Sequence, residues 1–337
     1  MKKTVISLAV SIGLAMGMVS GEALATTHKK KPVAAKKQVR AQAAKKASPA
    51  HRARQSASLD EAQHLVLGSA AALVQDQTTG AILFEKNAGA VVPIASITKL
   101  MTAMVALDAK PGLEETLSIG DDDVDTLKGT HSRLRVGTEL SRENMLRLAL
   151  MSSENRAASA LSRHYPGGRA AFVAAMNRKA QALGLTDTHF EDPTGLTAAN
   201  VSSARDLTKM VAAAHQYPLI REFSTTSEYQ VPLGRRTETF RNTNMLVRTG
   251  NWDIGLSKTG FINEAGRCLV MQAWLNNKPT IIVLLDSWGK FTRIGDANRI
   301  KRWIESASLN ARPSAGLRIS TQQRPESASL NARSSAG

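Results

Sequence analysis

VVPIASITKLMTAMV, residues 91–105, passes from an extended segment into a helix rich in Leu, Met and Ala, predicted over Ile97 to Ala109. Ser96 stands at the junction, and Lys99 lies one helical turn on and on the same face. The amine can therefore reach the hydroxyl, and the positive end of the helix favours an anion forming beside Ser96. Serine is a weak nucleophile near neutral pH until a base takes its proton. Lysine serves as that base only with its pKa depressed, by burial or by a neighbouring cation. S-x-x-K by itself fits equally well a helix-capping serine followed by a surface lysine.

Two further motifs change that balance. Ser153-Glu154-Asn155 interrupts a helical run in ALMSSENRAAS, so its side chains are expected on a turn facing a cleft. Lys258-Thr259-Gly260 lies on a predicted strand in GLSKTGFINEAG. Lys258 there can fix a carboxylate and set a second cation near Lys99, and Thr259 can bind the same carboxylate. Gly260 removes a side chain where a substrate backbone would approach. Each tripeptide alone is ordinary, a capping turn and a strand-end glycine. In this order, at a helix start, an interhelical turn and a late strand, the three supply nucleophile, base, second proton shuttle and carboxylate clamp.

The fold class read around them is α/β of the α+β kind. Ser69 to Asp76 and Ala81 to Glu85 read as strands about a turn at Gln77-Thr78-Thr79-Gly80. Asn144 to Leu150, Arg156 to Arg163, Gly168 to Leu183 and Ala204 to His215 read as helices. Gly255 to Gly260, Arg267 to Leu275 and Thr280 to Asp286 read as three consecutive strands, the last two joined by Asn276-Asn277-Lys278-Pro279. A final helix is expected from Arg293 to Ile304. Strands at both ends with helices between imply one mixed sheet built from the chain termini, with a helical insertion.

The chain has 337 residues, 42% hydrophobic and 21% charged, as expected for one large domain or two smaller ones. Aromatics at 4% argue against platforms for nucleic-acid bases. Residues 1–25 read as a cleaved signal peptide, with Lys2 and Lys3, an apolar run from Thr4 to Val19, and small residues at Ala23-Leu24-Ala25. A retained anchor is the alternative, disfavoured by the short apolar core. The net charge of +16 concentrates in residues 26–58, a Lys/Ala-rich stretch without acids that is expected to be a disordered tether. It is a solvated linker or a contact to an anionic envelope surface; export argues against nucleic acid. The folded domain is expected over 59–304. The 305–337 tail, where ESASLNARPSAG recurs as ESASLNARSSAG, is expected to be disordered. The lone Cys268, in GRCLVMQAWL, reads as a small buried core residue.

From about Leu59 to Ile304 the chain resembles the low-molecular-mass penicillin-binding proteins of the D-alanyl-D-alanine carboxypeptidase and endopeptidase family. The resemblance rests on the three motifs, on FEDPTGLTAANVSSARDL (190–207) and on LSKTGFINEAGRCLVM (256–271). It implies a five-stranded, mainly antiparallel sheet flanked by helices, with a helical subdomain. It makes Ser96 the acylated nucleophile, Lys99 its base and Ser153 a proton relay. Asn155 holds the substrate amide, Lys258 and Thr259 meet a carboxylate or peptide end, and the oxyanion hole is the backbone N–H groups of Ser96 and Phe261. The implied reaction cleaves after a D-alanine in peptidoglycan stem peptides through an acyl-enzyme, in the periplasm, without metal or cofactor. β-Lactams are then covalent inhibitors.

Nothing after Ile304 has the apolar face of a C-terminal anchor, which favours an endopeptidase cutting D-Ala–diaminopimelate cross-links over a carboxypeptidase. His131 and Tyr165 are taken as structural. A serine β-lactamase would need a carboxylate to activate the deacylating water; position permits Glu191, but its setting matches the peptidase pattern. A catalytically silent wall-binding protein is the remaining reading.

Overall fold

The computed structural model describes residues 65–310. The expected signal peptide, the basic tether and the tail beyond 310 lie outside the described residues.

Strand β1 (Ser69–Asp76) turns back on β2 (Ile82–Lys86). The chain leaves the sheet through β3 (Val92–Pro93) and a 3₁₀ turn (Ala95–Thr98), then builds α1 (Lys99–Asp108), β4 (Thr116–Ser118), β5 (Glu139–Ser141), α2 (Arg142–Met151), α3 (Asn155–Arg163) and α4 (Gly168–Ala182). It continues with β6 (Val201–Ser202), α5 (Ala204–Ala214), α6 (Pro218–Thr225), β7 (Glu228–Leu233), β8 (Arg236–Arg241) and α7 (Met245–Thr249). It returns through β9 (Ile254–Ile262), β10 (Gly266–Leu275) and β11 (Lys278–Ser287) and closes with α8 (Thr292–Asn310).

The five-stranded sheet has the spatial order β2-β1-β11-β10-β9. Every pairing in it is antiparallel, so it is not the mixed sheet expected from the chain order. The two ends of the domain meet at its centre, where Val74 pairs with Ile282. Both faces of β10 and β11 are covered, which is why these strands read as continuous apolar runs. Val270, Ile281, Val283 and Leu285 join the core shared with the helical insertion. Leu269, Met271, Ile282 and Leu284 face the other way and pack with Ala297 and Ile300 of α8. Buried Asp296 of α8 accepts from Ser69 N (2.7 Å) and Ser69 Oγ (2.6 Å), tying the last helix to the first strand.

The structure corrects several boundaries. The final helix runs six residues past Ile304 to Asn310, so the first copy of the repeat begins helical. Its Glu305 and Ala307 are good helix formers, and Glu305 sits 4.0 Å from Lys301 one turn back. Asn276 and Asn277 form the β10–β11 turn alone, at φ 51° and 61°, while Lys278 and Pro279 already belong to β11. The structure adds the β7–β8 ribbon and α6 to the elements expected from the sequence. In the ribbon only Val231 and Phe240 are buried, too sparse an apolar signal to mark two strands.

Candidate active site

Ser96 does not start an α-helix. It lies in the 3₁₀ turn, and the α-helix begins at Lys99 itself. With three residues per 3₁₀ turn, side chains three apart eclipse, which stacks Lys99 on Ser96 more closely than α geometry would. Ala95 enters the turn at φ 47°, a left-handed conformation uncommon for a residue with a Cβ. Two glycines crowd this backbone. A Cβ on Gly260 would stand 2.8 Å from Ile94 O and 3.3 Å from Ser96 N. One on Gly195, at φ 81°, would stand 1.9 Å from Ala95 O. Gly260 therefore leaves room for the chain's own turn, rather than only for a substrate as its motif suggested. That contact also sets the edge strand β9 against the Ser96 amide.

Lys99 is 1% exposed. Its Nζ lies 2.8 Å from Ser96 Oγ, 2.7 Å from Asn155 Oδ1 and 2.7 Å from Thr194 O. Burial pulls its pKa down from 10.5 to about 7, against the opposing pull of Asp192 and Glu154. Desolvation thus supplies the depression for which the sequence left burial and a neighbouring cation as alternatives.

Lys258, also 1% exposed, donates to Ser153 Oγ (2.9 Å) and to Thr259 O (2.9 Å). Burial, then Lys99 and Arg293, holds its amine well below the usual lysine range. The two amines stand close enough for each to disfavour the other's charge, and an anion arriving between them would favour a proton on Lys258. Ser153 is at φ 63° on the α2–α3 turn, a conformation that costs about 1 kcal/mol or more and is kept where the surroundings enforce it. Thr259 Oγ1 lies 2.6 Å from Thr243 Oγ1.

Several residues that hold this site were missed in the sequence. Asp125 Oδ2 accepts from Thr130 Oγ1 (2.7 Å), which makes the Thr130 oxygen an acceptor for Asn155 Nδ2 (3.0 Å). That chain fixes the Asn155 amide with Oδ1 toward Lys99. Behind Thr194, the Asp192 carboxylate gathers the N–H groups of Thr194 (2.9 Å) and Gly195 (2.6 Å). Asn200 Nδ2 donates to Thr98 Oγ1 (3.0 Å) and Asp192 O (2.9 Å), locking loop 191–200 to the serine turn. The FEDPTGLTAAN stretch carries the family likeness, but nothing in it marks the Thr194 carbonyl as the acceptor for the distant Lys99 amine. Arg293 of α8 donates to Gly260 O (2.9 Å) and Cys268 O (3.0 Å), clamping the strand end.

Phe261 is half-exposed beside this edge, with the Arg267 guanidinium 4.5 Å over its ring. Cys268 is fully buried, and burial raises its thiol to about 11, which fits an inert core residue. Tyr165 packs edge-on against Phe172. The Glu191 carboxylate is exposed and lies 3.7 Å from His189, with no hydrogen bond to Ser96 or Lys99.

A serine stacked on a buried lysine, a second lysine–serine pair beside it and the edge of a five-stranded antiparallel sheet define a serine acyl-transfer enzyme of the penicillin-binding fold. The chain belongs to the peptidase S11 family: the family model described as D-alanyl-D-alanine carboxypeptidase matches residues 57–289. It is a serine-type DD-peptidase, hence a hydrolase. It is 51% identical over 262 residues to a D-alanyl-D-alanine endopeptidase of Pseudomonas aeruginosa, covering 77% of this chain and 84% of the relative. It is 49% identical over 259 residues to one from Escherichia coli, covering 76% and 84%. The solved Streptomyces K15 DD-transpeptidase superposes with a TM-score of 0.67 at 30% identity, over 72% of this chain and 98% of that one.

Proposed function

We propose that the chain is an exported D-alanyl-D-alanine endopeptidase that cuts D-Ala–diaminopimelate cross-links through an acyl-enzyme on Ser96. The hydrogen-bond inventory around Lys99 carries the reading. A neutral amine has two N–H donors and one lone pair. Asn155 Oδ1 and the Thr194 carbonyl can only accept, so they take both donors. The third neighbour is the Ser96 hydroxyl at 2.8 Å, which can give its proton to the lone pair. A pKa of about 7 makes that base available at physiological pH.

In this reading Ser96 Oγ attacks the D-alanyl carbonyl as its proton passes to Lys99. The oxyanion is held by the N–H groups of Ser96 and Phe261, each such donor contributing roughly 3 kcal/mol to the transition state. Ser153, bonded to Lys258, relays a proton to the departing amine. Asn155 holds the substrate amide, and Lys258 and Thr259 face the anionic end. Water then hydrolyses the ester, and β-lactams stop the cycle there. The leader-like residues 1–25 support a periplasmic site for the reaction. Among the described residues no helix is long and apolar enough to cross a membrane. The endopeptidase preference rests on the 51% and 49% identical relatives, both named for that activity. The carboxypeptidase reading is kept alive by the family description.

Digesting purified sacculi with the mature enzyme and weighing the muropeptides separates the two. Loss of cross-linked dimers is expected. Loss of terminal D-alanine from monomers, with dimers intact, would make the enzyme a carboxypeptidase. Fluorescent penicillin should label the wild type, and Ser96→Ala should remove the label.

The acylation rate should rise with pH and level off above about 7, because only neutral Lys99 accepts the serine proton. A flat profile from pH 5.5 to 8.5 would discard Lys99 as the base.

A further inference from the structure

Beside the Ser153–Asn155 turn, loop 133–139 and the tip of the β7–β8 ribbon enclose a groove of about 560 Å³. Arg133, Arg135, Arg235 and Arg236 line it, with Glu139 as the one acid among its lining residues. Arg236 is engaged with Glu238 at 3.3 Å. Arg133 is fixed in place: it stacks 3.9 Å over the Phe240 ring, donates to Thr239 O (2.7 Å) and faces Glu154 at 3.6 Å. Arg135 and Arg235 are exposed and have no salt bridge among the described residues. Two unpaired guanidinium groups in one concavity set up a positive potential that attracts an anion, and their planar forks suit carboxylate groups in particular.

The groove adjoins the catalytic cleft through one wall, and its other wall continues along the chain toward the cleft. Thr130, which holds Asn155, precedes Arg135 on the same loop, and Arg133 touches Glu154, the residue between Ser153 and Asn155. On the other wall, the ribbon that carries Arg235 at its tip leads into Thr243, the partner of Thr259. The Arg133–Glu154 contact thus sets one end of the groove next to the Ser153–Asn155 turn.

We propose that this groove is a second substrate subsite, in which Arg135 and Arg235 bind free carboxylates of the peptide strand that extends beyond the scissile D-alanyl bond. The inference rests on the DD-peptidase reading above and adds to it: the enzyme selects cross-linked peptides whose side-chain carboxylates are free over the same peptides with those groups amidated. No group transfer occurs at the groove; its contribution is charge-assisted binding.

The test uses one cross-linked muropeptide dimer in two forms, with free carboxylates and with them amidated, and the variant Arg135→Glu/Arg235→Glu. Both side chains are exposed, so the fold should tolerate reversal. Wild type should hydrolyse the free-carboxylate dimer with kcat/KM at least tenfold above the amidated one, chiefly through KM, and added salt should narrow the gap. The variant should lose that preference. Its acylation by fluorescent penicillin, which lacks the extended peptide strand, should match wild type. In a Ser96→Ala background, calorimetric binding of the anionic dimer should weaken at least tenfold when both arginines are reversed. Equal kcat/KM for the two dimers in the wild type, or equal loss on both in the variant, overturns the subsite. Failure of wild type to react with penicillin would instead count against the DD-peptidase reading.

Discussion

Lys99→Met is expected to give a folded protein that penicillin acylates at least ~10³-fold more slowly than wild type, by loss of its general base. Nucleophile and base act as one unit, so the loss should approach that of Ser96→Ala rather than add to it. The fold should survive because methionine has nearly the volume of the lysine it replaces and no charge to bury. In the native protein Lys99 keeps its proton less tightly than in the unfolded chain, about 7 against 10.5. The unfolded state therefore binds the extra proton between those values, and wild-type stability rises with pH across that window. Below about pH 7 the penalty is complete, on the order of 5 kcal/mol. Methionine removes it but leaves Asn155 Oδ1 and Thr194 O short of a donor, costing about 1–3 kcal/mol each. Net stability at neutral pH should change by no more than about 2 kcal/mol. The slope of unfolding free energy between pH 7 and 10 should fall by as much as ~1.4 kcal/mol per unit. Stopped-flow acylation and denaturant titrations at several pH values check both parts. A variant that keeps a tenth of the acylation rate would remove Lys99 from the chemistry.

Gly195→Ala should be nearly as damaging to catalysis, although residue 195 is in no catalytic motif. Its new Cβ would fall 1.9 Å from Ala95 O and 2.3 Å from Ala95 C, both backbone atoms that no rotamer change can clear. Either the serine turn or loop 191–200 must move, and displacements near 1 Å at reacting atoms cost about 10²-fold. The positive φ of 81° adds strain of about 1 kcal/mol or more. A total of roughly 3 kcal/mol would lower Tm by about 6–12 °C in a domain of this size. Gly234→Ala is the control. Gly234 has a similar φ of 64° and nothing within 4 Å of an added Cβ, so it should show the strain alone and normal acylation. If both variants acylate at the wild-type rate, Gly195 does not hold the serine turn.

These two cases mark where local reading of the chain stopped. Lys99 was legible because S-x-x-K is a local pattern, and its partners Ser153, Asn155, Lys258 and Thr259 because each lies in a short motif with a recognisable setting. The central strands were legible too: β10 and β11 are buried on both faces and so carry unbroken apolar runs. Gly195, Asn200 and Arg293 were not, because each acts on residues far along the chain, and Asp125 was not, because its local partner Thr130 matters only through distant Asn155. Arg293 reaches Gly260, Asn200 reaches Thr98, and no local pattern encodes such a contact. The β7–β8 ribbon escaped for the opposite reason: with only two buried residues, its strands are held by pairing to each other rather than by hydrophobic patterning.

The residues themselves determined which groups are proposed for the chemistry and in what order along the chain they occur. Only the tertiary structure decided their protonation and aim. A lysine's pKa depends on how much water the packed neighbours exclude, and an amide's orientation on what stands across from it. Sealing Lys99 between loop 191–200 and the α2–α3 turn sets both, and that enclosure exists only after distant segments have come together.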